Sequence, residues 1–488
     1  MNSDYKWVSD LGDGYYKNPI LYADYSDPDV IRVGDDFYMT ASSFNFVPGL
    51  PILHSKDLVN WEIINYAARR LQPRYDKPMP GCGVWAPSLR FHDGKYWIYY
   101  GDPDIGIMMT NTEDIYGEWS PVKCVKEGIG LIDPCPFWDE DGKAYIVPGY
   151  AKSRCGIHSK LAVFEMSADG TKAMSEDVIV FDGTAEHPII EGPKFYKRNG
   201  CYYILAPAGG VATGWQTALR SKNIYGPYEN KIVLHQGDTD INGPHQGGLT
   251  ELENGECWFI HFQDLGTYGR IAHLQPARWI DDWPVIGEIK EDVLCGQPVH
   301  KYKKPNVCDN SHITPIPASD DFSGEKLGLQ WQWQANYKEG WYSLDAKPKT
   351  LRLYSECVTD VQNGYMPNLP NVLTQMWRAP SMTITVKVEK GFGKCKAALG
   401  VAGLNYGYIA LTDDGTVVFV KGQTEAEKIN EYIVTSKKID QTSVYLRTEV
   451  TGKENSTKAK VKCSYSIDRS NFITIGEFDA SPGKWVGA

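Results

Sequence analysis

The sequence predicts an all-β protein, a five-bladed β-propeller over residues 15–300 followed by a β-sandwich over 318–488. Three observations carry that reading. A two-part strand motif returns five times, a proline- and charge-rich stretch follows it, and alternating strands with hairpin signals fill the rest.

The first copy of the motif lies in "YSDPDVIRVGDDFYM", Tyr25 to Met39. A polar residue at a Pro or Gly turn opens an apolar strand, and a Gly turn leads into an aromatic strand. The pattern returns as "APSLRFHDGKYWIYY" from Ala86, "DPCPFWDEDGKAYIV" from Asp133, "EGPKFYKRNGCYYIL" from Glu191 and "QGGLTELENGECWFI" from Gln246. Counted from Asp27, the starts are separated by 59, 47, 58 and 55 residues.

A second half-motif follows each copy: "ILHSKDLVNW", "IMMTNTEDIYGEW", "LAVFEMSADGTKAM" and "ALRSKNIYGPY". In the fifth, "RIAHLQPARWIDDW", the strand is kept and the turn is lost. Two hairpins per unit give about four short antiparallel strands, the content of one blade. A sandwich of independent hairpins would give no reason for the two halves to alternate.

Beyond the fifth unit, "HKYKKPNVCDNSHITPIPASDDF" reads as a linker. Strands such as "LRLYSE", "MTITVKVE", "YIALTDDGTVVFVKG" and "KVKCSYSID" then indicate the sandwich. Helical patterning is weak throughout, with "EAEKINEY" as an example.

Composition narrows the function classes. A chain of 488 residues exceeds one ordinary core, and 30 Tyr, 15 Trp and 15 Phe suit both strands and stacking against sugar rings. A net charge of −11 argues against nucleic acid and anionic membranes and for a neutral partner. The eleven cysteines are scattered singly without a CxxC pair, which favours buried free thiols in a reducing compartment over a disulfide framework or zinc ribbon. "MNSDYKWVSDLGDGYY" has no apolar run, and no stretch reaches the ~18 apolar residues of a membrane span. A cytoplasmic location is expected, although a removed signal peptide would leave the same trace.

In a propeller, equivalent positions of the blades surround one axis. The repeat starts Asp27, Ala86, Asp133, Glu191 and Gln246 should therefore converge, and three of these five are acids. Converging carboxylates repel one another, so their titrations should be coupled. A hard cation could use such a set, and so could glycoside cleavage, in which one carboxyl protonates the leaving oxygen and the other activates water or attacks. Phe44, Phe46, Trp85 and Trp215 lie near these positions and offer an apolar floor for a sugar. Asp35 and Asp36 fall at the hairpin turn and are expected to be solvated, and Asp29 is expected to brace the Asp-Pro turn. "VIRV" interrupts the four aspartates, which excludes an EF-hand loop.

These motifs resemble glycoside hydrolase family 43, from "NPILYADYSDPDVIRVGDDFYM" through "GVWAPSLRF", "GLIDPCPFW", "IIEGPKFY" and "HQGGLTE" to "GRIAHLQPARW". "VAGLNYGYIAL" and "SPGKWVGA" resemble the jelly-roll, concanavalin-like sandwich of the β-xylosidase branch. The resemblance implies an inverting, exo-acting hydrolase releasing xylose or arabinose from β-xylosides or α-L-arabinofuranosides of plant hemicellulose. β-Xylosidase comes first, α-L-arabinofuranosidase second and arabinanase third. A non-catalytic carbohydrate-binding propeller stays open as an alternative, whereas the "NDPNG", "RDP" and "ECP" signatures of retaining fructosidases are absent.

By the same resemblance, Asp27 would be the general base, Glu191 the general acid, and Asp133 would hold Glu191 and keep its proton affinity high. Arg270, Phe44 and Trp85 would contact the sugar, and His245 would sit near the axis. No cofactor is implied, no metal ligand set is legible, and a divalent cation such as calcium near His245 is left open. The expected partner is a xylo- or arabino-oligosaccharide, and a homo-oligomer is left open. Relatives continue past "GKWVGA" into another strand, so an exposed sheet edge is expected there. Inversion needs a water between base and sugar, which predicts the two carboxyls roughly 6.5–9.5 Å apart.

Overall fold

Each two-part motif folds as one antiparallel sheet in the computed structural model, which describes every residue except 1–6, 291–294, 308–314, 359, 361–363, 390–392, 427 and 440. Blade 1 contains Asp29–Val33, Asp36–Thr40, Gly49–Ser55 and Glu62–Ala68. Blade 2 contains Trp85–His92, Lys95–Asp102, Gly106–Thr112 and Lys123–Glu127. Blade 3 contains Leu131–Trp138, Ala144–Tyr150, Lys160–Met166 and Val178–Asp182. Blade 4 contains Lys194–Arg198, Cys201–Ala208, Trp215–Ser221 and Glu229–Leu234.

Blade 5 explains the turn missing from the fifth half-motif. His245–Glu251, Cys257–Asp264 and Arg270–Ile280 are followed in the sheet by Leu21–Asp24, from the other end of the chain. Leu21 pairs with Ala272 and Asp24 with Ile271, so the N-terminal strand closes the ring. Tyr15–Lys17 then pairs with Lys301–Lys303, bringing together the two ends of the propeller segment.

Apolar side chains fill the spaces between blades. Ile52 and Leu50 of the first blade pack with Leu89, Ile98 and Tyr100 of the second. Val147 and Leu161 of the third pack with Ile204 and Leu219 of the fourth. Each such side chain, fully buried, contributes about 1.5–3 kcal/mol.

The sandwich has two four-stranded antiparallel sheets. One orders Met382–Glu389, Ser443–Thr451, Ala459–Ser466 and Ile473–Ala480. The other orders Lys396–Val401, Asn405–Thr412, Thr416–Glu425 and Lys428–Lys438. The weakly helical "EAEKINEY" therefore falls on a β-hairpin, with described residues in strand on either side of residue 427. Cross-strand pairs such as Thr424 with Ile429 override its local preference. Phe419, Leu446, Val461 and Phe478 form a core continuous with Tyr22, Tyr268 and Ile271 of the propeller.

Part of the stretch read as a linker is regular, since Lys301–Lys303 is a strand, and short strand pairs follow it before the two sandwich sheets begin. Gln332–Trp333 pairs with Leu373–Thr374, and Tyr342–Ser343 pairs with Arg352–Leu353. This arm grips blade 1: Asn45 Nδ2 donates to Gln334 O at 2.6 Å, and Leu71 N donates to Asn336 Oδ1 at 2.8 Å. The ten described cysteines are all free thiols, but only Cys135, Cys257 and Cys463 are buried. No described helix is long and apolar enough to cross a membrane.

Candidate active site

One backbone feature recurs at the start of every inner strand and fixes the true register of the repeat. Asp27, Ala86, Asp133, Gly192 and Gln246 all have positive φ, at 54°, 35°, 54°, 58° and 33°. Pro or Gly follows each of them. A non-glycine residue in such a conformation costs about 1–3 kcal/mol, and strain of this kind gathers at functional sites.

The equivalent of Asp27 and Asp133 in blade 4 is therefore Gly192, and Glu191 stands one residue earlier. Its counterparts are Ser26, Trp85, Ile132 and His245. The expectation that Glu191 shares the repeat-start position is corrected by one residue. "EGP" carries an extra residue between acid and proline, compared with "DP" in blades 1 and 3.

These residues form stacked rings at one end of the axis. Asp27 is 4 % exposed, and its Oδ2 accepts from Ser26 Oγ at 2.8 Å and Ser42 Oγ at 2.5 Å. Arg270 Nη1 donates to Asp27 Oδ1 at 3.2 Å and to Ser26 Oγ at 2.9 Å. Ser42 Oγ also accepts from Ala86 N at 2.7 Å, which ties the base of the site to blade 2.

Asp133 is 2 % exposed, and its Oδ2 accepts from Gly192 N at 2.8 Å and Gln246 Nε2 at 3.4 Å. Burial first, then the neighbouring Glu191 and Asp27, push its carboxyl well above the usual range. Glu191 lies at the open side, its side chain 26 % exposed, with Oε1 3.1 Å from His245 Nε2. His245 is fully buried, and its Nδ1 has no hydrogen-bond partner. No hydrogen bond joins Asp27 to Glu191.

The walls come from loops at the same end. In an antiparallel blade, the start of the first strand and the link between second and third strands open in one direction. Phe44 and Phe46 lie on that link in blade 1, and Trp215 ends it in blade 4. Arg270 follows it in blade 5. Phe44, itself at φ 50°, is held by paired backbone hydrogen bonds with Val84, which places it beside Trp85. Gly83 permits this approach: at φ 96°, a Cβ there would meet Phe44 O at 2.3 Å.

The sandwich supplies a residue that sequence reading missed. Trp485 lies 6.0 Å from Trp85 in an edge-on arrangement, and the Arg270 guanidinium lies 5.7 Å from its ring. Asp24 anchors this arm, its two carboxylate oxygens accepting from Arg270 N at 2.8 Å and Gly487 N at 2.7 Å. A Trp in a C-terminal "GKWVGA" has no periodic signal that could tie it to a pocket in another domain.

Two aspartates behave differently from expectation. Asp29 does not brace the Asp-Pro turn. Fully buried, its Oδ2 accepts from Leu89 N at 2.8 Å and Arg90 Nη1 at 2.7 Å, with Lys194 Nζ at 3.9 Å. It occupies a second ring with Ser88, Cys135, Lys194 and Gly248, each two residues past the strained position, and joins blades beneath the site. Asp35 is exposed as expected, but Asp36 pairs with His54 Nε2 at 2.6 Å and Lys56 Nζ at 2.8 Å.

A hard cation takes about six to eight oxygen ligands. Around His245 one ring nitrogen faces Glu191, and among the described residues no three His, Cys, Asp or Glu gather into a metal-ligand set. No chemical step below passes through a metal.

Carboxyl groups gathered at one end of a propeller, with aromatic side chains on the surrounding loops, suit the cleavage of a sugar linkage. Residues 16–284 match the glycosyl hydrolases family 43 model, and residues 319–488 match the β-xylosidase C-terminal concanavalin A-like domain. The chain belongs to glycosyl hydrolases family 43. It is 38 % identical to a putative β-xylosidase of Xylanibacter ruminicola, over 99 % of this chain and 87 % of that one. It is 30 % identical to a non-reducing end α-L-arabinofuranosidase of Bacteroides ovatus, over 78 % of this chain and 73 % of that one. A crystal structure of a family 43 protein from Bacillus licheniformis superposes with a TM-score of 0.79 at 25 % identity, covering 96 % of this chain and 91 % of that one.

Proposed function

We propose that this glycosidase is inverting and exo-acting, releasing xylose from β-xylosides, with α-L-arabinofuranosides as second substrate. The observation that carries the reading is that two carboxyls at one end of the propeller have different surroundings. Asp27 accepts from two hydroxyls and a guanidinium, a setting in which a carboxylate can take a proton from water. Glu191 faces the open side with only His245 beside it, where it can protonate a departing oxygen.

In this mechanism the sugar lies over the axis, with Phe44 and Trp85 against its ring and Arg270 donating to its hydroxyls. A water held by Asp27 attacks the anomeric carbon as Glu191 gives its proton to the leaving oxygen. Asp133 is a positioning residue: its carboxyl fixes the Gly192 amide, and so the backbone that carries Glu191. Trp485 beside Trp85 narrows the pocket, which supports release of terminal sugars over cleavage within a chain. The β-xylosidase and arabinofuranosidase names of the relatives support the order of sugars.

Proton NMR during hydrolysis of p-nitrophenyl β-xyloside tests the stereochemistry. The α-anomer of xylose should appear first, and initial β-xylose would overturn inversion. Parallel rates on p-nitrophenyl α-L-arabinofuranoside rank the two sugars.

A further inference from the structure

We infer that the leaving-group side of this pocket selects a sugar bearing a carboxylate, a uronic acid branch near the scissile bond, and that Arg154 reads it. This rests on the glycosidase reading and names its substrate class.

Trp485 stands beside Arg270 and Trp85, of blades 5 and 2, while Glu191 faces the axis from blade 4. The blade 3 link, residues 151–159, lies at the same end of the propeller, between Trp85 and Glu191 in blade order. It begins just after Gly149, where a Cβ would lie 3.7 Å from Glu191 Cα. From this link the Arg154 guanidinium lies 5.7 Å from the Trp85 ring. Asp104, on the corresponding link of blade 2, accepts from Arg154 Nε at 2.8 Å and lies 3.7 Å from Arg74 Nη2. Arg154 is thus held by Nε, while its Nη1 donates to Ser153 Oγ at 3.0 Å and its Nη2 to Cys82 Sγ at 3.9 Å, and its side chain is still 20 % exposed.

The local charge contradicts the chain's overall charge. The protein carries −11, yet residues 69–84, 103–105 and 151–159 hold six lysines and arginines against two acids, Asp76 and Asp104. Lys484 adds a further cation, its side chain packed on Gly81, where a Cβ would meet its Cγ at 2.8 Å. Burial and Asp104 raise the Cys82 thiol between these groups, while Arg154 and Lys484 pull it down, so both cations bear on one point of the rim. A neutral xylose needs none of this charge. A carboxylate leaving past Trp85 would find a guanidinium already fixed by Asp104, whose Nη groups exchange a neutral hydroxyl and a thiol for a charged acceptor.

The test compares xylobiose with xylobiose whose leaving-group residue carries a glucuronic acid branch. The acidic sugar should have a kcat/KM about tenfold higher at low salt, with the advantage shrinking near 0.5 M salt. Arg154→Gln should remove most of that ratio, and Lys484→Gln part of it. Equal rates, preference for the neutral sugar, or a ratio unchanged in the double variant would overturn the inference.

Calorimetry on the Glu191→Gln variant measures binding of the same two sugars without turnover. If neither aryl xyloside nor aryl arabinofuranoside is hydrolysed, the proposed sugars are wrong, and the calorimetric ratio alone decides the acidic preference. Tighter acidic binding lost with Arg154→Gln supports it, and equal binding overturns it.

Discussion

Glu191 and His245 hold the same place in neighbouring blades, one residue ahead of the strained turn, and their side chains meet at 3.1 Å. Asp27 and Asp133 stand at the turn itself. Side chains one residue apart on a strand point to different sides, so the two positions send acids to different parts of one pocket.

Glu191→Gln should lower kcat/KM on xylobiose by about 10²–10⁴, the range for loss of a general acid. The loss should be much smaller on aryl xylosides whose leaving group needs no proton. Comparable losses on both substrates would remove Glu191 from the acid role.

Asp133→Asn tests a group kept for position at a cost in stability. Its carboxyl is raised by burial, then by Glu191 and Asp27. Such a group stabilises the fold at low pH, and that contribution is lost as pH rises through the raised value. The Asn variant should therefore gain thermal stability relative to the parent with rising pH, while losing activity because the Gly192 anchor is disturbed. A gap in melting temperature independent of pH would contradict this.

Asp24 is pushed up to about 6, burial outweighing the Arg270 and Gly487 amides that pull the other way. Its contribution is complete below the ordinary carboxylate value and fades as pH rises through about 6. Melting curves of the parent against Asp24→Asn should show the parent losing ground across that interval. The same variant should raise KM by loosening both Arg270 and the Trp485 arm.

Arg90→Met strands the buried Asp29 carboxylate and should cost about 3–5 kcal/mol in denaturant unfolding. Adding Asp29→Asn should restore part of that loss, since the carboxylate is gone and the buried Lys194 keeps only its bonds to Pro87 O and Ser88 Oγ. A double variant less stable than the single would argue against the pair as the main tie between blades 1 and 2.

Trp485→Ala should open the pocket, lowering kcat/KM on xylobiose about tenfold, as expected for loss of an aromatic wall formed by a side chain that is 47 % exposed in the free protein. Longer xylo-oligosaccharides should lose less, because they no longer meet the Trp485 barrier. Uniform loss across chain lengths would leave Trp485 a structural role alone.

The five blades were legible because each repeats the same turn and strand chemistry, and Asp27 and Asp133 were legible because a proline marks their turn. The offset of Glu191 was hidden: "EGP" and "DP" align by eye, and only the φ value at Gly192 separates them. Asp29 was misread because its partners, Arg90 and Lys194, lie on other blades and no local pattern announces them. Ser42, Asp24 and Trp485 carry no motif at all. Their roles arise where loops from separate blades, or separate domains, converge.

The strand Leu21–Asp24 also has a consequence for how the protein is made. It is translated before its partner, Arg270–Ile280, and four whole blades lie between the two in the chain. Until that partner is made its hydrogen-bonding edge and Tyr22 have no seat, and Asp24 cannot hold Arg270. Closure of the ring is therefore a late event in biogenesis, gated by the return of this strand to the fifth blade.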